Sequence, residues 1–291
     1  MVQRAQPAIE RRKAMKAFPI PVVGPGSQDV EEAAEYLSMP HDMAVFRPPV
    51  IEALSPSAGA DAHAALSSLL DAMRGHAFGS FPVPTLDLKT LDAEALVVAN
   101  QAFGRGEVSA VVRGSRSWRI EETAFASIWH VLELREDGSI GQDQLEVAPI
   151  PAAMNNAAAQ VLACPPAPDG IMNSPALLAE LFDQSARWKP GKSAHVVNLT
   201  LLPVNPQDLD YLAVTLEVGP VTILSRGYGN CRITSTQLPH TWWVQYFNSM
   251  DQLILNTIEV VDVPEVALAA REDFEDSTER LAEWLETLLD D

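Results

Sequence analysis

Residues 106–151 and 219–264 align without a gap at a fixed offset (219 − 106 = 113), and 12 of the 46 positions are identical. Ordinary residue usage would give about 3 identities. The matches fall on punctuating and bulky residues, among them Gly106/Gly219, Arg113/Arg226, Gly114/Gly227, Arg119/Arg232, Trp129/Trp242, Glu146/Glu259 and Pro151/Pro264. A chain repeating itself at this period is expected to build two like units.

Each copy has the same order of periodicities. In the first, Ala65, Leu66, Leu69, Leu70 and Met73 recur at helical spacing before Gly75, and residues 91–103 read as a helix opened by Asp92 and stopped by Gly104 and Gly106. The period then shortens to two. Runs at 107–113, 118–123, 128–134 and 144–150 read as strands, parted by Gly114 and the turn Glu136-Asp137-Gly138-Ser139. After the segment Cys164-Pro165-Pro166-Ala167-Pro168, a helix is expected at 174–186 with Pro175 in its first turn, then a strand at 194–202 and a helix at 206–218. Strands follow at 221–225, 231–237, 241–247 and 253–261.

The predicted fold class is therefore α+β: two repeated units, each of helices plus an antiparallel β-meander. The predicted boundaries are an extended proline-rich N-terminal arm (1–60), a first unit (61–163), a proline-rich joint (164–173), and a second unit with a C-terminal helix (174–291). Prolines at 19, 21, 25, 40, 48, 49 and 56 remove amide donors along the arm and disfavour regular pairing there. The C-terminal helix has a stripe of Leu281, Trp284, Leu285 and Leu288, and residues 271–291 hold nine acids against two arginines. That composition reads as a solvated face or an acidic docking surface.

A formal charge of −19 and a pI near 4.6 disfavour binding to nucleic acid or an anionic membrane. Two cysteines, Cys164 and Cys231, are too few for a disulfide framework, and no Cys-x-x-Cys or His-Glu-x-x-His pair is present. Arg11-Arg12-Lys13 precedes Pro19 and Pro21 rather than an apolar signal core, and no run of about 18 apolar residues follows. A soluble, cytoplasmic protein is expected.

The segment 225–247 brings Arg226, Cys231, Arg232 and His240 together in sequence, the ingredients of an activated thiol. Strand alternation, however, sets Cys231 with Ile233 and Ser235, and Arg232 on the other face with Thr234 and Thr236. Trp118 occupies the position of Cys231 in the first copy, which points to packing. Histidines are scattered singly, so neither a catalytic nor a metal site is expected, and no cofactor. Arg113, Arg119, Arg226 and Arg232 recur with Glu146 and Glu259, their expected carboxylate partners. Arginine beside Trp and Tyr on an exposed strand would instead make a protein-binding surface. The predicted partner-binding residues are Arg226, Tyr228, Cys231, Arg232, Trp243, Gln245, Tyr246 and Asn248.

Phe18-Pro-Ile-Pro-Val-Val-Gly-Pro-Gly-Ser, Gly104-Arg-Gly-Glu-Val-Ser-Ala, Ser225-Arg-Gly-Tyr-Gly-Asn-Cys-Arg-Ile, Val244-Gln-Tyr-Phe-Asn-Ser-Met-Asp and Leu253-Ile-Leu-Asn-Thr-Ile-Glu-Val resemble motifs of the HupH/HyaF family of hydrogenase expression/formation proteins. The resemblance implies a non-enzymatic, chaperone-like role in maturing a membrane-bound uptake [NiFe] hydrogenase. It implies as partners the iron-sulfur small-subunit precursor before export and a thioredoxin-like accessory protein. A metal or iron-sulfur cluster carrier for the same hydrogenase is the second expectation.

Overall fold

A computed structural model of the chain describes residues 56–155, 165–227 and 229–290. The arm expected over 1–60 lies almost entirely outside the described residues, as do Cys164 and Tyr228. The described chain is α+β, with one antiparallel sheet of ten strands and helices on one of its faces.

In chain order the elements are α1 (Pro56–Arg74), β1 (Thr85–Asp87), α2 (Ala93–Phe103), β2 (Val108–Val112), β3 (Ser117–Glu122), β4 (Ile128–Leu134), β5 (Ile140–Val147), α3 (Ser174–Ala186), β6 (His195–Asn198), α4 (Pro206–Leu216), β7 (Val218–Ser225), β8 (Asn230–Thr236), β9 (Thr241–Phe247), β10 (Leu253–Val260) and α5 (Arg271–Asp290). The strands lie in the order β1-β5-β4-β3-β2-β7-β8-β9-β10-β6. Each half is a four-stranded meander with one extra strand at the outer edge, and β2 pairs with β7 at the centre.

The registers of the halves correspond. Ala110 pairs with Ile223 in the middle of the central ladder, two positions that are themselves 113 apart. Ile120 pairs with Val131 and Ile233 with Val244, again at that offset. Both outer ladders shift register at the same end, beside the pair Leu134–Ile140 of β4 and β5 and beside its counterpart at the same offset, Phe247–Leu253 of β9 and β10. Helices α2 and α4 also correspond, capped by Asp92 accepting from the Ala95 amide at 2.7 Å and Asn205 accepting from the Asp208 amide at 2.7 Å. Gly106 and Gly219 lead into the central strands, and a Cβ there would sit 2.3 Å from the Thr123 carbonyl oxygen or 2.4 Å from Ser235 Oγ. Only glycine allows so close an approach.

Two apolar layers lie on the helical face. Over the first half, Leu66, Leu69, Leu70 and Met73 of α1 and Phe103 of α2 pack with Ile128, Leu145 and Val147. Phe274, Leu281 and Leu285 of α5 join the same cluster, so the last helix returns to cover the first half. Over the second half, Leu178, Leu181, Leu212 and Leu216 of α3 and α4 pack with Val197, Trp243, Ile258 and Val260. The opposite face holds one continuous cluster across both halves, including Ile120, Trp129, Ile223, Ile233, Trp242 and Val244. It is closed by short 3-10 turns at Ala152–Met154 and Glu265–Ala267.

Several boundaries differ from the sequence expectation. Strand β1 was not expected, because three residues carry no readable alternation. Strand β5 occupies 140–147 rather than 144–150, since Pro149 and Pro151 have no amide to continue a ladder. The strand expected at 194–202 ends at Asn198, whose side chain accepts from the amides of Thr200 and Leu201 at 3.0 and 3.2 Å and turns the chain. Helix α4 ends at Leu216 rather than 218, where Glu217 takes φ 49°.

Candidate protein-binding face

Residues directly opposite across a ladder share a face. One row on the helical side runs Glu121–Ser109–Leu224–Arg232–Gln245, and the next runs Leu132–Arg119–Val111–Thr222–Thr234–Trp243. Beyond Glu121 the first row continues through His130 to Leu145, which lies under the helices, as does Trp243 at the end of the second; Ser109, Val111, Arg119, Thr222, Leu224, Arg232 and Thr234 belong to neither helical cluster, though Ser109, Leu224 and Thr234 are buried. A strip of sheet over β3, β2, β7 and β8 thus runs between the two helix layers. Alternation puts Arg113 and Arg226 on the same face, at opposite ends of the central ladder. The Arg113 amide donates to Pro220 O at 2.9 Å and the Arg226 amide to Glu107 O at 3.1 Å.

The arginines do not pair with Glu146 and Glu259, contrary to the sequence expectation. Those carboxylates lie on the other face: Glu146 is opposite Trp129 and Glu259 opposite Trp242. Glu146 accepts from the Ala152 amide at 3.2 Å and Glu259 from Thr257 Oγ1 at 3.1 Å. Burial raises the pKa of both. On the strip, Arg105 meets Glu121 at 3.4 Å, and the Arg232 guanidinium lies 5.7 Å from the centroid of the Phe247 ring.

The predicted partner-binding residues divide between the faces. Arg226, Arg232, Trp243 and Gln245 lie on the helical side and Cys231 and Tyr246 on the other. Trp243 is 1% exposed beneath α3 and α4, Gln245 is 2% exposed, and Cys231 is 3% exposed, so these three are interior side chains. Asn248 holds the β9–β10 turn, accepting from the amides of Met250 and Gln252 at 2.9 Å. Arg226 and Arg232 are the members of the set that border the strip, half-buried.

Burial pushes the Cys231 thiol up to about 12; a hydrogen bond with Tyr246 works against this, and the charge of Glu259 adds to it. At neutral pH it is a protonated, enclosed thiol, unsuited to nucleophilic attack or thiolate ligation. Among the described residues, no group of three His, Cys, Asp or Glu side chains converges as a metal site. Glu122, at the end of β3, accepts from the Ser127 amide at 3.3 Å. Its pKa is raised to about 7 by burial, the Ser127 bond opposing and the charges of Glu107 and Asp273 adding.

Sequence reasoning missed Ser109 and Thr234. Their side-chain oxygens are buried without a hydrogen-bond partner, and so is Nε of Arg226. The two hydroxyl residues carry no motif; only their alternation with the cluster residues Ala110 and Ile233 places them on the strip.

The model of the HupH hydrogenase expression protein, C-terminal conserved region, matches residues 61–163 and again 171–288. The hydrogenase expression/formation protein HoxQ of Cupriavidus necator is 47% identical over 93% of this chain and 98% of its own length. HupH of Rhodobacter capsulatus is 43% identical over 93% and 98%, and the hydrogenase-1 operon protein HyaF of Escherichia coli is 31% identical over 91% and 95%. A solved HupH from Thiobacillus denitrificans is 27% identical and covers 38% of this chain and 92% of its own, with a TM-score of 0.36. The chain belongs to the HupH family of hydrogenase expression/formation proteins.

Proposed function

We propose that this protein is a chaperone-like accessory factor in the maturation of a membrane-bound uptake [NiFe] hydrogenase. In this reading it acts in the cytoplasm, without catalysing a reaction, and holds the iron-sulfur small-subunit precursor before export. A thioredoxin-like accessory protein is a second partner. The observation that carries the reading is the family relationship across nearly the whole chain to proteins named for hydrogenase expression and formation. One further feature agrees with it: no described helix is long and apolar enough to cross a membrane.

The two halves are proposed to be copies of one duplicated unit, with residues 164–173 as the joint. Support comes from the family model matching twice and from the shared 113-residue offset of strands, caps and bulges. The carrier reading is weaker, because burial keeps the Cys231 thiol protonated.

Gentle anaerobic affinity isolation from hydrogenase-expressing cells tests the proposal. The small-subunit precursor, with its export signal still attached, is expected among the co-isolated proteins. Recovery of other proteins alone would remove the small-subunit assignment.

A further inference from the structure

We propose that the groove between the proline-rich joint and helix α4 is the docking site for this chain's own N-terminal segment, residues 11–23; the inference stands apart from the identity of the partner protein. The joint is tied to α4 at two points: the Tyr211 hydroxyl donates to Pro165 O, and Asn205 Nδ2 donates to Gly170 O at 3.2 Å. Between these ties Pro166 and Pro168 have no amide to donate to the helix, so the joint stands off it. The gap is a groove of about 320 Å³, a size that holds a ligand or the side chains of a peptide. Its lining is apolar at the prolines, Ile171, Tyr211 and Val214, and acidic at Asp169 and Asp210. Val214 is 68% exposed, an uncovered aliphatic side chain on a helix. Both aspartates are exposed, and no described cation pairs with either.

The chain supplies one segment of matching chemistry. Residues 11–23 hold Arg11, Arg12, Lys13 and Lys16 and no acid, in a chain whose formal charge is −19. The apolar run Phe18-Pro19-Ile20-Pro21-Val22-Val23 follows these cations directly. Docked, the cations meet Asp169 and Asp210 while the run covers Val214 and the prolines of the joint. Pro19 and Pro21 fix their own φ before any contact forms, so the run loses little freedom on docking, as proline-rich segments do against grooves lined by an aromatic ring. Reach is no obstacle. Residues 24–55 make a tether of 32 residues (55 − 23 = 32) to the start of α1. At roughly 3.3 Å per residue it spans up to about 100 Å, about twice the roughly 50 Å breadth of a globule of this length. An anionic ligand fits poorly, because both aspartates would repel it.

The test places photoreactive benzoylphenylalanine at Val214 of the full chain and maps the cross-links by mass spectrometry, in a mixture of heavy-isotope-labelled and unlabelled protein. The same group at Val97, 44% exposed on α2, is the control. Cross-links from position 214 to residues 11–23 of the same chain are expected, and none to that segment from position 97. Reversing the two acids with D169K/D210K is expected to lower their yield about tenfold with the far-UV circular dichroism unchanged. R11E/R12E/K13E, whose changes lie outside the described residues, is expected to lower the yield alike and decides the matter where D169K/D210K does not fold. Cross-links from position 214 only to residues 156–164, or only between differently labelled chains, would overturn the proposal by revealing another occupant. Equal yields from positions 214 and 97, a yield indifferent to R11E/R12E/K13E, or no cross-link to residues 11–23 at all would overturn it as well.

Discussion

Trp243 is held by its ring and by its nitrogen: it packs in the cluster of Leu212, Ile258 and Val260, and its Nε1 donates to Asn256 Oδ1. Trp243→Ala is therefore expected to lower stability by about 3–5 kcal/mol, read as a fall in urea midpoint, rather than to alter a contact surface on an intact fold. Asp208 is fully buried, and its Oδ1 accepts from the amides of Met172, Asn173 and Ser174 and from Ser174 Oγ, all within 3.0 Å. Its Oδ2 accepts from the Asn205 amide at 3.2 Å. Burial alone would raise its pKa, but the donors of Ser174, Asn205, Asn173 and Met172 outweigh this and hold it at about 2. A depressed carboxylate stabilises the fold above its unfolded value near 3.8, and that contribution fades as pH falls toward 2. Asp208→Ala should cost about 1–3 kcal/mol at pH 7, with α3 and α4 losing their common anchor. Glu122 behaves in the opposite sense. With its pKa raised from 4.5 to about 7, it favours the folded state below 4.5, and this is lost as pH rises through 7. Glu122→Gln should flatten that dependence, so the stability difference between pH 5 and pH 8 in urea melts is expected to shrink relative to wild type.

Among the elements, helix α2 and strands β3, β4, β8 and β9 were legible from the sequence because their apolar spacing is long and regular. The parity that separates Cys231 from Arg232 was legible for the same reason. The depth of Trp243 was not, because it depends on which helices cover which half of the sheet. The β2–β7 ladder was equally hidden, since a pairing across more than a hundred residues leaves no local trace. What the ladder demands locally is narrow approaches. Gly219→Ala would place a methyl 2.4 Å from Ser235 Oγ and 2.6 Å from the Thr236 carbonyl oxygen. The Val221 amide donates to that same Ser235 hydroxyl oxygen at 2.9 Å. The substitution is expected to lower stability by more than about 2 kcal/mol, visible as a drop in Tm, and Gly106→Ala should act alike.

At the scale of the molecule, the sheet has two edges, β1 and β6, and no break at its centre, so the halves share one continuous core on the face opposite the helices. Deleting residues 271–291 removes Phe274, Leu281 and Leu285 from the first-half cluster and the stack of Phe274 on Phe78 at 4.9 Å. The shortened chain is expected to bind ANS and to melt over a broad range, whereas cooperative melting would show α5 to be dispensable. On the ribosome, this arrangement means that the earlier half waits for α5 before its interior can close. A chain ended early by a nonsense codon or a protease thus cannot leave behind a well-folded first half. Only a polypeptide that carries α5 has both helix layers in place.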